Sequence, residues 1–235
     1  MNGSTSRELP TRLFDWADPF LQELFGSPPT PWEALDQLED RLHALEIPCD
    51  SLESLQQRYP QTWFDPEGQY RVHSTARIEP GAFLSGAVVL RPGAFAGHAC
   101  RIRGPVYLGP NSHVGHASEI KHSLLLEGAV AAHLNFVGDS ILGERSNLGA
   151  GAVCANLRFD QRPIVVKVGD LRIQTSKRKC GAFVGVGAQI GCSATLSPGT
   201  VIGPRAWIGP NLSIRGWVPE GARILSSEGA GFGIA

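Results

Sequence analysis

The side chains of this 235-residue sequence best suited to chemistry are a few histidines, two spaced cations and two asparagines. Arg103 and Lys121 are cations standing eighteen residues apart. His133 sits in a His-Leu-x-aromatic-x-Gly-Asp context (His133, Leu134, Phe136, Gly138, Asp139). An imidazole titrates near neutrality, so it can take a proton at physiological pH and hand it on. A histidine by itself is more often a surface or packing residue. His113, His116 and His122 offer three imidazoles that a metal could use. Asn147 and Asn156 can hydrogen-bond a ligand, and equally can cap corners or form inward ladders.

What could position these groups is written in the spacing of the aliphatics. Val72, Ile78, Leu84, Leu90, Ala96, Ile102, Leu108, Val114 and Ile120 fall on every sixth residue. The repeat continues through Leu125, Ala131, Val137, Leu142 and Leu148 with two steps of five. It returns as Val184, Ile190, Leu196, Ile202, Ile208 and Ile214. A period of six fits neither the 3.6-residue helix nor the alternation of an amphipathic strand. It fits a coil of short parallel strands, three sides and about 18 residues per turn, with one inward aliphatic per side. Glycine or a small residue would serve the corners, where a positive φ or a close backbone approach is needed. The 28 glycines could suggest disorder, but disorder would not space aliphatics this regularly.

Residues 1–69 read differently, as short helices. Asp18-Pro19 is an N-cap followed by proline, with Gly26 as a stop. Thr30-Pro31-Trp32-Glu33 is a capping box, followed by Leu35, Leu38, Leu42 and Leu45 at helical spacing. Asp50-Ser51-Leu52-Glu53 opens a third helix. The expected division is a helical region over 1–69, a β-helix over 70–225 and a flexible tail over 226–235. The register is interrupted over about 157–182, which carries Asp160, Arg162 and the run Lys177-Arg178-Lys179. Such an excursion from a solenoid is expected to serve function or to pack on a neighbour.

Composition narrows the function classes. A formal net charge of −1 without a like-charge block argues against nucleic-acid binding. The start of the chain lacks the basic stretch and apolar core of a signal peptide, and no apolar run approaches the length of a membrane span. Five scattered cysteines without a Cys-x-x-Cys pair read as reduced thiols. A cytoplasmic protein without membrane or nucleic-acid partners is expected.

Residues 119–156, EIKHSLLLEGAVAAHLNFVGDSILGERSNLGAGAVCAN, closely resemble the acetyltransferase half of the bacterial bifunctional enzymes that acetylate and uridylylate glucosamine-1-phosphate. They resemble still more the archaeal sugar-1-phosphate nucleotidylyltransferase/acetyltransferases. There the resemblance extends through Asn156-Leu157-Arg158-Phe159-Asp160 and the Ser-Lys-Arg-Lys-Cys-Gly-Ala-Phe segment, covering about residues 100–205. Parallel crossovers are normally right-handed. The resemblance to the hexapeptide-repeat acyltransferases implies the opposite: an all-β, left-handed parallel β-helix, a three-sided prism, with a small N-terminal helical segment. It further implies acetyl-CoA as cosubstrate, no metal, and a homotrimer whose active sites lie between prisms. The acceptor implied is an amino sugar phosphate, most directly glucosamine-1-phosphate. The helical region is too short for a nucleotidylyltransferase domain and lacks its phosphate loop, so that activity is not expected.

The matched positions imply roles residue by residue. His133 aligns with the general base. Arg103, Lys121 and Arg162 align with phosphate contacts, and Asn147 and Asn156 with residues that bond the sugar and position the reacting groups. Ala150 aligns with a CoA contact, and Gly185 and Gly203 are expected along the same CoA groove. Oxyanion stabilisation would come from a backbone N–H. Two positions depart from the pattern. Phe136 replaces a tyrosine, removing a hydroxyl from the substrate-binding set, and Leu157 replaces a tyrosine of the bacterial enzymes. Two other functions compete: a β-helix scaffold or regulatory subunit without turnover, and a γ-carbonic-anhydrase-like metalloenzyme built on His113, His116 and His122.

Overall fold

The computed structural model describes residues 13–15, 18–26 and 30–226. From Trp63 onward the chain winds as a parallel β-solenoid of about nine turns. Each turn lays one short strand on each of three faces. On face I, Val72 pairs with Leu90, Leu90 with Leu108, Leu108 with Leu125 and Leu125 with Leu142, and the ladder runs on through Val184 and Ile202 to Val218. Face II stacks Ile78, Ala96, Val114, Ala131, Leu148, Ile190, Ile208 and Ile224. Face III stacks Phe64, Leu84, Ile102, Ile120, Val137, Cys154, Leu196 and Ile214. All of these side chains are buried in one cluster. Each aliphatic predicted from the six-residue period is a rung of this core.

The steps of five are 17-residue turns, as from Leu108 to Leu125. The step from Leu142 to Val184 is 42 residues, so the interruption is inserted into a single turn and the coil resumes in register beyond it. Four rungs escaped the aliphatic pattern. Phe64 precedes it, Val218 and Ile224 follow turns of irregular length, and Cys154 is a buried thiol that behaves as a small hydrophobe. The corners take up left-handed backbone even at non-glycine positions, among them Leu134 and Asp139 (φ 53° and 48°). Buried serines satisfy corner carbonyls, as Ser140 Oγ does by donating to Gly138 O at 2.7 Å.

The three expected helices form. Helix α1 (Pro19–Phe25) starts at Asp18, whose carboxylate accepts from Phe20 N at 2.9 Å, and stops at Gly26. Helix α2 (Pro31–His43) starts at Thr30, whose N–H donates to Glu33 Oε2 at 2.8 Å. Helix α3 (Leu52–Arg58) starts at Ser51, whose hydroxyl accepts from Ser54 N.

The helices divide two tasks. Helix α3 closes the open end of the prism: Leu55 enters the coil's core, Arg58 donates to the carbonyls of Val72, His73 and Ser74, and Tyr59 Oη donates to Ala76 O. These bonds occupy edge groups that would otherwise offer a pairing template. Helices α1 and α2 lie along the outside of face I. There a second core joins Leu21, Leu24, Leu35, Leu38 and Leu42 to Val89, Tyr107, Leu124, Ile141 and Phe183 of the face. The interruption adds a hairpin, Val165–Val168 antiparallel to Leu171–Gln174, which puts Val166 and Val168 into this second core. Burying each such aliphatic contributes about 1.5–3 kcal/mol. Face I is thus covered, leaving the corner between faces II and III and the outer strands of face III to carry the candidate chemistry. Among the described residues no helix is long and apolar enough to cross a membrane.

Candidate active site

His133 ends the face II strand Val130–His133, at the corner leading to face III. The corner is a column one residue wide: His98, His116 and His133 follow on successive turns, and Ala150 stands on the next. The backbone proves the stacking, since Leu134 N donates to His116 O at 3.0 Å and Gly151 N to His133 O at 2.9 Å. The rings of His98 and His116 stack with centroids 5.1 Å apart. The His133 ring is exposed and has no hydrogen-bond partner among the described residues. Leu134, next to it in left-handed backbone, is 62% exposed. On the neighbouring strand the pKa of His113 is lowered, by burial first and then by positive charge on His133, so His113 is held toward its neutral form.

Asn135 fixes this corner from inside. Its Oδ1 accepts from His133 N at 3.0 Å, and its Nδ2 donates to Gly149 O at 2.8 Å and Ala152 O at 3.1 Å. One buried amide therefore locks the backbone of His133 to the turn that carries Ala150. Sequence reading passed over Asn135. Its only signal in the sequence is an asparagine set among the apolar residues Leu134, Phe136 and Val137.

Arg103 and Lys121 are in register on adjacent turns of face III, as the eighteen-residue spacing requires. Both are paired within the chain: Arg103 Nη1 lies 2.7 Å from Glu119 Oε1, and Lys121 Nζ lies 3.3 Å from Asp139 Oδ2. Asp139 is 5% exposed and is the centre of a polar network. Its Oδ1 meets His122 Nδ1 at 2.8 Å, and its Oδ2 also accepts from Asn156 Nδ2. Burial alone would raise the Asp139 pKa. The hydrogen bonds from His122 and Asn156, and the charges of Lys121 and His122, outweigh it and hold the carboxyl below the usual carboxylate value. His122 Nε2 reaches Leu35 O at 2.9 Å, so this ring bridges the prism to α2. Both of its partners are acceptors, so making both bonds requires both ring N–H groups.

Gly138 lets the network close. A Cβ there would sit 2.6 Å from Asn156 Nδ2 and 2.9 Å from Phe136 Cε1. The Phe136 ring and the Asn156 amide therefore meet over this residue, in register with Lys121. Asp139 had been visible only as the end of the Gly-Asp string; its partners needed coordinates.

The remaining expected residues are dispersed within one chain. Asn147 is half-buried on the outer side of face II, between Val130 and Gln189. Ala150 adjoins His133. Gly185 and Gly203 stack at the end of face I, away from the His133 corner, and their N–H groups donate to Ile202 O and Val218 O. A Cβ on Gly185 would come within 2.7 Å of Pro204 N, which gives that glycine a packing reason. Arg162 is exposed on the interruption, beside a loop in which Arg158 and Asp160 form a double hydrogen bond. His122 lies on a different corner from His116, so the three histidines considered for a metal are not brought together. Among the described residues no group of three or more histidine, cysteine or acidic side chains could hold a metal ion.

A cleft of about 400 Å³ opens between α2 and the His122–Asp139 corner, bounded by Trp32, Leu35, Asp36, Lys177, Arg178 and Lys179. Lys177 is paired with Asp36 at 2.6 Å. Burial pushes the Cys180 thiol beside it up to about 12, which keeps it protonated and unreactive.

With this geometry established, comparison with known proteins locates the chain. No family model matches it. It is 36% identical over 119 residues to a bifunctional sugar-1-phosphate nucleotidylyltransferase/acetyltransferase of Sulfurisphaera tokodaii, a match covering 51% of this chain and 30% of that protein. It is 40% identical over 75 residues to the bifunctional protein GlmU of Methanococcus aeolicus, covering 32% of this chain and 18% of that one. The matches fall on the acetyltransferase region, and the chain spans less than a third of the length of these relatives. Among solved structures, the polysialic acid O-acetyltransferase OatWY aligns over 71% of this chain and 84% of its own at 14% identity, with a TM-score of 0.36.

Proposed function

We propose that this chain is an acetyl-CoA-dependent N-acetyltransferase whose acceptor is an amino sugar phosphate, with glucosamine-1-phosphate the first candidate. The observation that carries the reading is His133: its ring is exposed and without a hydrogen-bond partner among the described residues, its backbone N–H is held by Asn135, and it stands one turn below Ala150. The partial match to sugar-phosphate acetyltransferases supports the class of reaction.

In this reading the acceptor amine approaches the thioester carbonyl beside the His133 corner. The imidazole takes the proton lost by the attacking nitrogen, and the C–N bond forms as the carbonyl becomes a tetrahedral oxyanion. Collapse of that intermediate breaks the C–S bond, and the imidazolium returns its proton to the departing thiolate. A backbone N–H at the corner would hold the oxyanion. Arg103, Lys121 and Arg162 supply positive charge for the phosphate, and the amide of Asn147 bonds the sugar. Asn156 acts here by setting Asp139, and through it Lys121, rather than by touching the reacting atoms. CoA runs past Ala150, with Gly185 and Gly203 contributed from a second prism. In this reading the working unit is a homotrimer and the protein is cytoplasmic, as the resemblance to the hexapeptide-repeat acyltransferases implies.

Thiol release from acetyl-CoA in the presence of glucosamine-1-phosphate tests the proposal. His133→Ala is expected to lower kcat about 10²–10⁴-fold while leaving the fold intact, because the ring is exposed. Equal turnover by the variant would remove His133 from the mechanism. A second reading, a scaffold without turnover, is favoured by the internal pairing of Arg103 with Glu119 and of Lys121 with Asp139. Absence of thiol release with a broad panel of amino sugars would select it.

A further inference from the structure

Near the open end of the prism one buried guanidinium, that of Arg71, has no carboxylate partner among the described residues. Arg71, in the first face I strand, is 8% exposed. Its Nε donates to Ile47 O at 2.8 Å and its Nη2 to Leu45 O at 3.2 Å, both neutral acceptors. Its Nη1 is buried with no hydrogen-bond partner, and no described carboxylate lies within ion-pair distance. On the next turn, Arg91 is ion-paired with Asp18 and lies over the Phe20 ring at 4.3 Å, although its Nε makes no hydrogen bond among the described residues. The guanidinium of Arg71 is therefore buried without a counter-charge among the described residues, which is costly and rare in native structures.

Both arginines line one cavity of about 150 Å³, walled by Phe20, Ile47, Pro48 and Asp50 and by the strand residues around His73 and Leu90. Water occupies about 30 Å³ per molecule in the liquid, so this space has room for a tetrahedral oxyanion and a few waters. The charges around it can be enumerated. Arg58, nearby on α3, spends its guanidinium on the carbonyls of Val72, His73 and Ser74. His73 Nδ1 accepts from Thr75 N, which leaves its Nε2–H as a donor. Opposing them, Asp50 accepts from Val72 N at 2.7 Å. Asp18, beneath Arg91, faces its Nε at 3.6 Å and also meets Tyr107 Oη and Phe20 N. The cavity itself is thus lined by two guanidiniums, Arg71 and Arg91, and one carboxylate, Asp50, while Arg91 is also paired with Asp18 from outside the lining.

We infer that this cavity is an anion site for a phosphate-type oxyanion, held between Arg71 and Arg91 and remote from the His133 corner. The anion would take the unpartnered Nη1 of Arg71, and Arg91 would add its charge from the opposite wall while keeping its pairing with Asp18. The bound charge would then tie α1 and the segment before α3 to the first turns of the coil. The site would couple oxyanion supply to the seating of the helical region on face I.

Thermal unfolding of the whole protein, titrated with inorganic phosphate at constant ionic strength against sodium chloride, tests this. A saturable rise in Tm is expected with phosphate and not with chloride. Arg91→Gln should weaken the apparent affinity at least tenfold. Arg71→Gln should do the same, and if that variant fails to fold, Arg91→Gln alone decides. A parallel titration with glycerol 1-phosphate separates the sources: response to inorganic phosphate alone indicates the free ion, and response to both indicates the phosphate group of a metabolite. No rise beyond chloride, or a rise that Arg91→Gln retains in full, would overturn the site.

Discussion

Replacing Asp139 by Asn tests the polar network at its centre. The two carboxylate oxygens accept from three donors: His122 on Oδ1, and Lys121 and Asn156 on Oδ2. An asparagine has one oxygen. If it keeps His122, its amide nitrogen is turned against the Nδ2 of Asn156; if it keeps Asn156, it opposes the ring of His122. Lys121 retains access to water at 23% side-chain exposure and can rehydrate, so its share is small. The loss is therefore one buried charge-assisted hydrogen bond, worth about 1.5–3 kcal/mol, together with a donor left facing a donor. The variant should be about 2–4 kcal/mol less stable at pH 7 by urea unfolding.

The pH dependence gives a second, independent check. The Asp139 pKa is lowered in the folded protein by hydrogen bonds and charges that overcome burial. A carboxyl of this kind adds stability at all pH values above its unfolded pKa, about 3.9. That stability is lost as pH falls through the lower folded value. The gap between native protein and variant should thus be constant from pH 7 to about 5 and narrow below about 4. The reasoning is refuted by a gap under about 0.5 kcal/mol at pH 7, which is the level of an ordinary surface substitution. A gap that widens toward acid would refute it equally.

Three other outcomes are expected. Asn135→Ala leaves His133 N and the carbonyls of Gly149 and Ala152 without their side-chain partner, and should cost about 2–4 kcal/mol in urea unfolding while lowering acetyl transfer. Gly138→Ala drives a methyl against Asn156 and Phe136 and should destabilise by about 1–3 kcal/mol, with part of the loss recovered when Asn156→Ala is combined with it in a double-mutant cycle. Phe136→Tyr restores a hydroxyl beside Asn156 and should lower KM for an amino sugar phosphate with little change in kcat; an unchanged KM would show that the acceptor does not reach this ring.

The coil was legible because its determinant is local and repeated. One inward side chain every sixth residue is a statement about the backbone path, and each aliphatic from Val72 to Ile214 found its rung. The helices were legible for the same reason, since Asp18, Thr30 and Ser51 cap within three residues of themselves. Adjacency between turns was only half legible. Arg103 and Lys121 could be stacked by counting eighteen. Asn156 and Asp139 are seventeen apart, and their meeting depends on Gly138 leaving space between them.

Sequence by itself thus determined the prism, its core and the caps of its helices, because backbone periodicity and hydrogen-bond capping act over a few residues. Only the tertiary structure decided which cations are neutralised, which corner each histidine occupies, and that α1, α2 and the inserted hairpin cover face I. Those outcomes depend on turn lengths of 17, 18 and 42 residues summed along the coil, and on helices packing across some hundred residues of chain separation. Electrostatic partnership follows distance in space, and a one-residue change in a turn moves every later side chain to another position on the prism.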